Sequence, residues 1–326
     1  MRFLLIAIVM LFSAPTIPAN DAVVAEGRER SRAFLEGGLV GIWDDMTPEL
    51  QGLFGSIEDF EVFRAGVAKD FGEETKILSE EVQSGDSANT YLRTSKWSLV
   101  EAAVVTQWTI AENDQVAAFS IKASPVLAES RFLDYRTKAP LHLPFDGEWF
   151  VVWGGRTLEQ NYHAADRAQR FAVDVLIYRA GVTYRGNPQV MTNYYCWDQP
   201  ILAPAGGTVV GMVNDLPDND IGATDADNPA GNHVVIDFGN SEFGFLGHMR
   251  EGSVSVAIGD SVIAGQELGR CGNSGNTSEP HLHFHLQNTA DLSDGEGLPA
   301  FFEGYVADNK PVERGEPAAG QLIRPE

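Results

Sequence analysis

Three histidines at alternate positions, His281-Leu282-His283-Phe284-His285, are the sharpest chemical signal in this chain. On a strand, side chains at i, i+2 and i+4 point to one face. Three imidazoles would then share a face, while Leu282, Phe284 and Leu286 fill the other. Imidazole is the commonest metal ligand and the usual proton carrier near neutral pH. Two of these rings could therefore serve one metal, one as ligand and one as proton-transfer group. The same pattern also suits the polar outer face of an amphipathic strand, and the strand alone does not choose between the two. All seven histidines (His142, His163, His233, His248, His281, His283 and His285) fall after the first 141 residues. That confinement gives the metal reading a place in the chain.

The elements that must position these groups come from a chain of 326 residues, a length that suggests two domains. Hydrophobic residues make up 44% and charged residues 21%, a globular mixture that argues against a disordered chain. The formal net charge of -23 repels polyphosphate at long range, so nucleic acid is not an expected partner. Residues 1–19 read as a signal peptide: Met1-Arg2 supplies one positive charge, Phe3 to Phe12 is apolar, and small residues and prolines follow. Cleavage after residue 19 or 25 fits equally. The apolar run is shorter than the ~20 residues a membrane-spanning helix needs. The mature protein is therefore expected to be exported, periplasmic or extracellular, without stable membrane insertion. Oligomeric state is not readable. Cys196 and Cys271 are the two cysteines, and an even pair in an exported chain reads as one disulfide.

Residues 22–130 read as an α+β domain. Val24, Phe34, Leu35, Leu39 and Trp43 approximate a helical stripe, weakened at Gly37-Gly38. Thr47-Pro48-Glu49 has the order cap, first-turn proline, acid, and Ser56 precedes Asp59 by three residues. Residues 75–82, 90–97, 102–110 and 116–123 read as strands, with turns such as Ser84-Gly85-Asp86 between them. This order of elements resembles the cone-shaped domains of the nuclear-transport-factor-2-like type. It contains no His or Cys, and is expected to bind or position, or to serve a purely structural role, rather than react.

Residues 131–144 read as a linker and 145–308 as a mostly antiparallel β domain. Its expected strands are 149–152, 171–177, 208–213, 233–238, 243–248, 261–263 and 281–287. Residues 309–326 read as a polar, poorly ordered tail. The acidic loop 214–232 is long for a compact domain. Asp215, Asp218, Asp220 and Asp225 could hold calcium, though a solvated loop is the simpler reading.

Several motifs fall in one order. Ala203 to Val210, Gly231 to Asp237, Gly247-His248-Met249, Gly259 to Val262, Ala264-Gly265-Gln266 and Gly269 to Phe284 together resemble the M23 zinc peptidases, the lysostaphin-like endopeptidases. The resemblance covers roughly residues 145–290. It implies a lysostaphin-like, duplicated-hybrid-motif β fold and one Zn2+ per chain. It makes His283 a zinc ligand, His281 its catalytic partner and His248 the second catalytic histidine. Asp174, in Phe171-Ala172-Val173-Asp174, takes the aspartate ligand's place. The family's usual His-x-x-x-Asp would put a histidine at 170, where this chain has Arg170. His163 is the nearest upstream histidine. Asn161-Tyr162-His163 followed by Gln169-Arg170-Phe171-Ala172-Val173-Asp174 resembles a subgroup with that arrangement, so His163 is expected as the first ligand. Asp166 is closer to it but off the strand pattern. His285 is expected to support the site from behind, His233 to lie near the groove and His142 in the linker. The resemblance implies a zinc endopeptidase that hydrolyses peptide cross-links of bacterial peptidoglycan, with peptidoglycan peptides as partners. The alternative is a non-catalytic relative that binds or regulates cell-wall hydrolases.

Overall fold

The structure is a computed structural model and describes residues 21–85 and 87–326. The signal-peptide reading of residues 1–19 and the Asp86 position of the first turn lie outside them. The chain divides after Pro125 into two units.

Helices α1 (Asp21–Glu36), α2 (Leu39–Asp44), α3 (Pro48–Phe54) and α4 (Ile57–Phe71) lead the first unit. Gly37 adopts φ +90 and ends α1, so the apolar stripe expected across residues 24–43 is split between two helices. Both expected caps form. Thr47 Oγ1 accepts from Leu50 N at 3.3 Å. Ser56 Oγ accepts from Asp59 N at 3.2 Å and donates to Asp59 Oδ2 at 2.8 Å. Each such cap is worth about 1 kcal/mol. Strands β1 (Glu74–Ser84), β2 (Ala88–Trp97), β3 (Val104–Ala111) and β4 (Val116–Ala123) form an antiparallel meander in chain order. Alternation on β3 buries Val104, Thr106, Trp108 and Ile110. Trp108 stacks on Phe119 at 4.0 Å, and its indole N–H donates to Ser31 Oγ at 3.0 Å. Phe34 and Phe60 complete a fully buried aromatic core.

The second unit is mostly antiparallel β. Its strands are β5 (Trp149–Trp153), β6 (Val173–Leu176), β7 (Pro200–Leu202), β8 (Gly207–Val213), β9 (Asn232–Asp237), β10 (Phe243–Met249), β11 (Ser261–Val262), β12 (Glu267–Arg270), β13 (Leu282–Gln287), β14 (Gly297–Leu298), β15 (Phe302–Ala307), β16 (Lys310–Gly315) and β17 (Leu322–Pro325). The main sheet runs β11-β8-β9-β10-β13-β6-β5-β17-β15-β16, with β14 beside β13 and β7 and β12 paired separately. β13 is central, between β10 and β6. Leu282, Phe284 and Leu286 enter the core, leaving the histidines on the opposite face. Among the described residues no helix is long and apolar enough to cross a membrane.

Two segments differ from expectation. Residues 131–144 pack as part of this unit: Ala139, Leu141 and Leu143 alternate into its core. The buried Glu242 carboxylate accepts from Tyr135 Oη at 2.7 Å, Lys138 N at 2.6 Å and Ala139 N at 2.8 Å. Proline hid an extended, period-two segment. Residues 309–326 form β16 and β17 rather than a loose tail. Ile323 is 1% exposed, and β17 pairs with β5 and β15. Backbone pairing compensates here for the polar composition.

Candidate metal centre

Register brings the first two groups together. Asp174 on β6 pairs with His283 on β13, and both side chains lie on the face opposite the core. His283 Nδ1 lies 2.8 Å from Asp174 Oδ1.

His163 arrives from a loop. It sits in a 3-10 turn, Tyr162–Ala165, capped by Asn161, whose Oδ1 accepts from His163 N at 3.1 Å. Asn161 Nδ2 donates to Gly155 O at 3.1 Å and to Ala172 O at 2.9 Å. The amide is buried and ties the turn to the residue two before Asp174. His163 Nε2 thereby reaches Asp174 Oδ2 at 2.9 Å, across eleven positions of sequence. Arg170, at the position where the family pattern has histidine, turns its guanidinium to Ala128 O and Arg156 O. Asp166 spends Oδ1 on Ala168 N and Gln169 N and closes a local turn.

One ligand atom from each of His163, Asp174 and His283 lies within 4.8 Å of the others, and all three residues are buried. Two imidazoles and a carboxylate are a donor set suited to zinc, and three protein ligands leave one tetrahedral position open. The residues present therefore fit a zinc ion. Burial alone would push the Asp174 carboxyl up. The charges of His163 and His281 and hydrogen bonds to His163 and His283 prevail and hold it well below the usual range. Burial pushes His283 down, against the pull of Asp174.

His248, next to last in β10, has a φ of 60, a left-handed conformation that costs a non-glycine residue about 1 kcal/mol or more. A register shift between Leu246 and Met249 falls at the same place. The backbone is held on both sides, His248 N donating to Ala230 O and Gly272 N donating to His248 O, each at 3.0 Å. Gly272 has no alternative, since a Cβ there would lie 2.2 Å from Arg250 N. So turned, His248 Nδ1 donates to Ser274 O at 2.9 Å. A carbonyl only accepts, so the ring proton is on Nδ1. Burial, then the charges of His281 and His283, hold this ring well below its ordinary pKa.

His281 follows the same logic. Its Nδ1 donates to Glu279 O at 2.9 Å, with Thr277 Oγ1 at 3.0 Å. Its Nε2 lies 3.7 Å from Asp174 Oδ2. The His248 ring is 4.7 Å from that of His281 and 5.7 Å from that of His283. The structure thus brings His163, Asp174, His248, His281 and His283 together.

The remaining histidines differ. His285 Nδ1 lies 2.8 Å from His283 Nε2, behind the centre. His233 donates from Nδ1 to Gly231 O at 2.7 Å. His142 is exposed. Sequence reasoning did not single out Ser274, Thr277, Glu279 and Gln287, because their groups act through backbone carbonyls or second contacts that no spacing reveals. Tyr162, half-exposed and with its ring tilted against that of His163 at a centroid distance of 4.0 Å, was also missed. In the acidic loop, Asp218 accepts from Asn273 N and Glu251 N, and Asp225 from Asp227 N and Asn228 N, so these two carboxylates serve as braces. The expected disulfide forms: Cys196 and Cys271 are joined, with Cα atoms 6.0 Å apart.

Comparison with known proteins adds a family. The sequence model of peptidase family M23 matches residues 194–295. His248, His281 and His283 fall inside that span, whereas His163 and Asp174 precede it. No curated protein matches the sequence. Among solved structures, the catalytic domain of the antimicrobial peptidase lysostaphin from Staphylococcus simulans is 20% identical, covering 46% of this chain and 86% of its own, with a TM-score of 0.28. Pseudoalterin, an M23 metalloprotease from the deep sea, is 15% identical over 58% of this chain and 100% of its own, with a TM-score of 0.35. A zinc-containing peptidase from Vibrio cholerae is 11% identical over 72% of this chain and 83% of its own, with a TM-score of 0.23.

Proposed function

We propose that this chain, whose residues 194–295 match the sequence model of peptidase family M23, is an exported zinc endopeptidase hydrolysing peptide cross-links of bacterial cell-wall peptidoglycan. The observation that carries this reading is the convergence of His163, Asp174 and His283 around one point, with His248 and His281 beside them. In this reading His163, Asp174 and His283 hold one Zn2+ per chain. When bound, the ion polarises a peptide carbonyl and lowers the pKa of water to about 7. His281 keeps its proton on Nδ1, so Nε2 is free to take a proton from the attacking water and return one to the departing amine. His248 is tied in the same tautomer and held neutral by burial. Its Nε2 is then a lone pair that can accept a hydrogen bond from the attacking water. The Cys196–Cys271 bridge is consistent with an oxidising compartment. Residue chemistry alone supports amide hydrolysis; the cell-wall substrate rests on the family.

Metal content and hydrolysis measured together test this reading. The purified protein is expected to carry close to one zinc and to release peptides from cross-linked muropeptides, with chelator abolishing release. His283→Ala is expected to lose both. Full zinc and activity in His283→Ala would overturn the ligand set, and zinc without hydrolysis would favour a binding or regulatory protein.

A further inference from the structure

His285 and Gln287 continue the line of side chains that His281 and His283 begin on one face of β13. Neither is used by the chemistry above, yet both are buried, 1% and 0% exposed. Gln287 Nε2 donates to Thr289 O at 2.8 Å and to Asp291 O at 2.6 Å. Carbonyls only accept, so the amide can face only one way, with Oε1 turned away from them. Gly295 lies flat against this amide; a Cβ there would be 2.5 Å from Oε1. Phe245 stacks on the His285 ring at 4.6 Å and 8°, which sets the plane of the imidazole. His285 Nε2 and Gln287 Oε1 are both buried without a hydrogen-bond partner among the described residues.

We propose that Gln287 and His285 are positioning residues that lock His283 in the tautomer whose Nδ1 lone pair faces Asp174 and His163. Gln287, two positions on along the same face of β13, is the side chain that acts on the His285 ring; its Oε1 can only accept, so His285 Nε2 carries its ring's proton. His285 Nδ1 is then a lone pair and accepts from His283 Nε2 at 2.8 Å. His283 Nδ1 is left unprotonated, 2.8 Å from the Asp174 carboxylate. Two acceptors at that distance repel unless a cation lies between them. The reverse direction, with His283 Nδ1–H donating to Asp174, would set the His285 Nε2 lone pair beside Gln287 Oε1. That leaves two buried acceptors with nothing to accept, which costs each its desolvation. The backbone carbonyls of Thr289 and Asp291 thus choose the atom that His283 offers a metal, through three side chains. The inference rests on the metal reading above and deepens it.

The test uses the full chain with 15N-labelled histidine. In zinc-loaded wild type, NMR is expected to show His283 protonated at Nε2, with a 15N–15N coupling across the hydrogen bond to His285 Nδ1. Zinc affinity, read by competition with a chelating indicator, supplies the second arm. His285→Leu is expected to weaken binding about 10- to 100-fold, the usual effect of losing a group behind a ligand. His285→Asn, which returns an acceptor near the Nδ1 position, is expected to recover most of the loss. Equal affinity in His285→Leu and wild type would overturn it, and so would loss in both variants at unchanged melting temperature. If wild type binds no zinc, the metal reading falls and takes this proposal with it; zinc bound with His283 protonated at Nδ1 would overturn the proposal alone.

Discussion

Two regions of the second unit deliver groups to the same centre by opposite means. β13 does so by period: once Leu282, Phe284 and Leu286 are committed to the core, His281, His283 and His285 have no choice of face. The segment from Gly155 to Ala172 has no such period. It delivers His163 by one buried amide, Asn161, that holds three backbone groups at once. The glycine-rich stretch leading to β13 is also covalently anchored at Cys271, whereas the His163 turn relies on hydrogen bonds and ion pairs. A strand spreads its positional information over many weak contacts, so single substitutions outside it are expected to disturb it little. A stapled loop concentrates that information in one side chain.

The largest effect predicted from this contrast is on global stability. Replacing Cys196 and Cys271 by serine removes a cross-link between residues 75 positions apart and is expected to cost about 2–4 kcal/mol, read from urea unfolding of metal-free protein. Zinc affinity should stay close to wild type. Cys271 N still donates to Gln199 O at 2.8 Å, and Asp198 N to Cys271 O at 2.9 Å, so the folded segments keep their register without the bridge. A fall in zinc affinity comparable to the fall in stability would show that β13 is not positioned by its period, and the contrast would fail.

A smaller effect is predicted on the other side. Asn161→Ala leaves every proposed ligand in place and removes only the staple. Zinc binding is expected to weaken about 10- to 100-fold, roughly 1.4–2.7 kcal/mol, as when an outer-shell partner is lost. Isothermal titration of the variant measures this directly. Unchanged affinity would mean that the turn holds His163 without its cap.

The same contrast explains what could be read in advance. The faces of β13, the caps at Thr47 and Ser56 and the β1–β4 meander rest on short-range rules, and each was legible. His163 was reachable only through the resemblance of Asn161-Tyr162-His163, because nothing in the residues between it and Asp174, eleven positions on, says that the loop returns. The left-handed turn at His248 had no sequence mark, since its neighbours Ala230 and Gly272 come from distant segments. The segment 131–144 was misread for a related reason. Its polar groups are satisfied by Glu242, about a hundred positions away, and composition cannot report a partner at that range.

The smallest effect concerns how the His163 region is tied to the chain after β13. The Glu296 carboxylate accepts from Arg131 N at 2.8 Å and pairs with Arg131 and Arg167, while Gly297 N donates to Arg167 O at 2.9 Å. Burial would push this carboxyl up, but the Arg131 backbone N–H and the two guanidinium groups prevail and lower it from 4.5 to about 2. A carboxyl depressed in the folded state stabilises above its unfolded pKa and loses that contribution as the pH falls through the folded value. Stability from Glu296 should therefore be complete above about pH 4.5 and gone near pH 2. The gain is modest, because the Arg131 and Arg167 side chains are 72% and 64% exposed and screened by solvent. Asp174 is also depressed and loses stability as the solution is acidified, so wild type alone cannot separate the two. Glu296→Gln does, with both proteins kept in chelator so that metal loss plays no part. Its urea midpoint is expected below wild type at pH 6, with the gap closing between pH 4.5 and 2. A gap that persists unchanged at pH 2 would assign the difference to packing rather than charge, and the Glu296 ion pairs would then not be what ties the His163 region to the chain after β13.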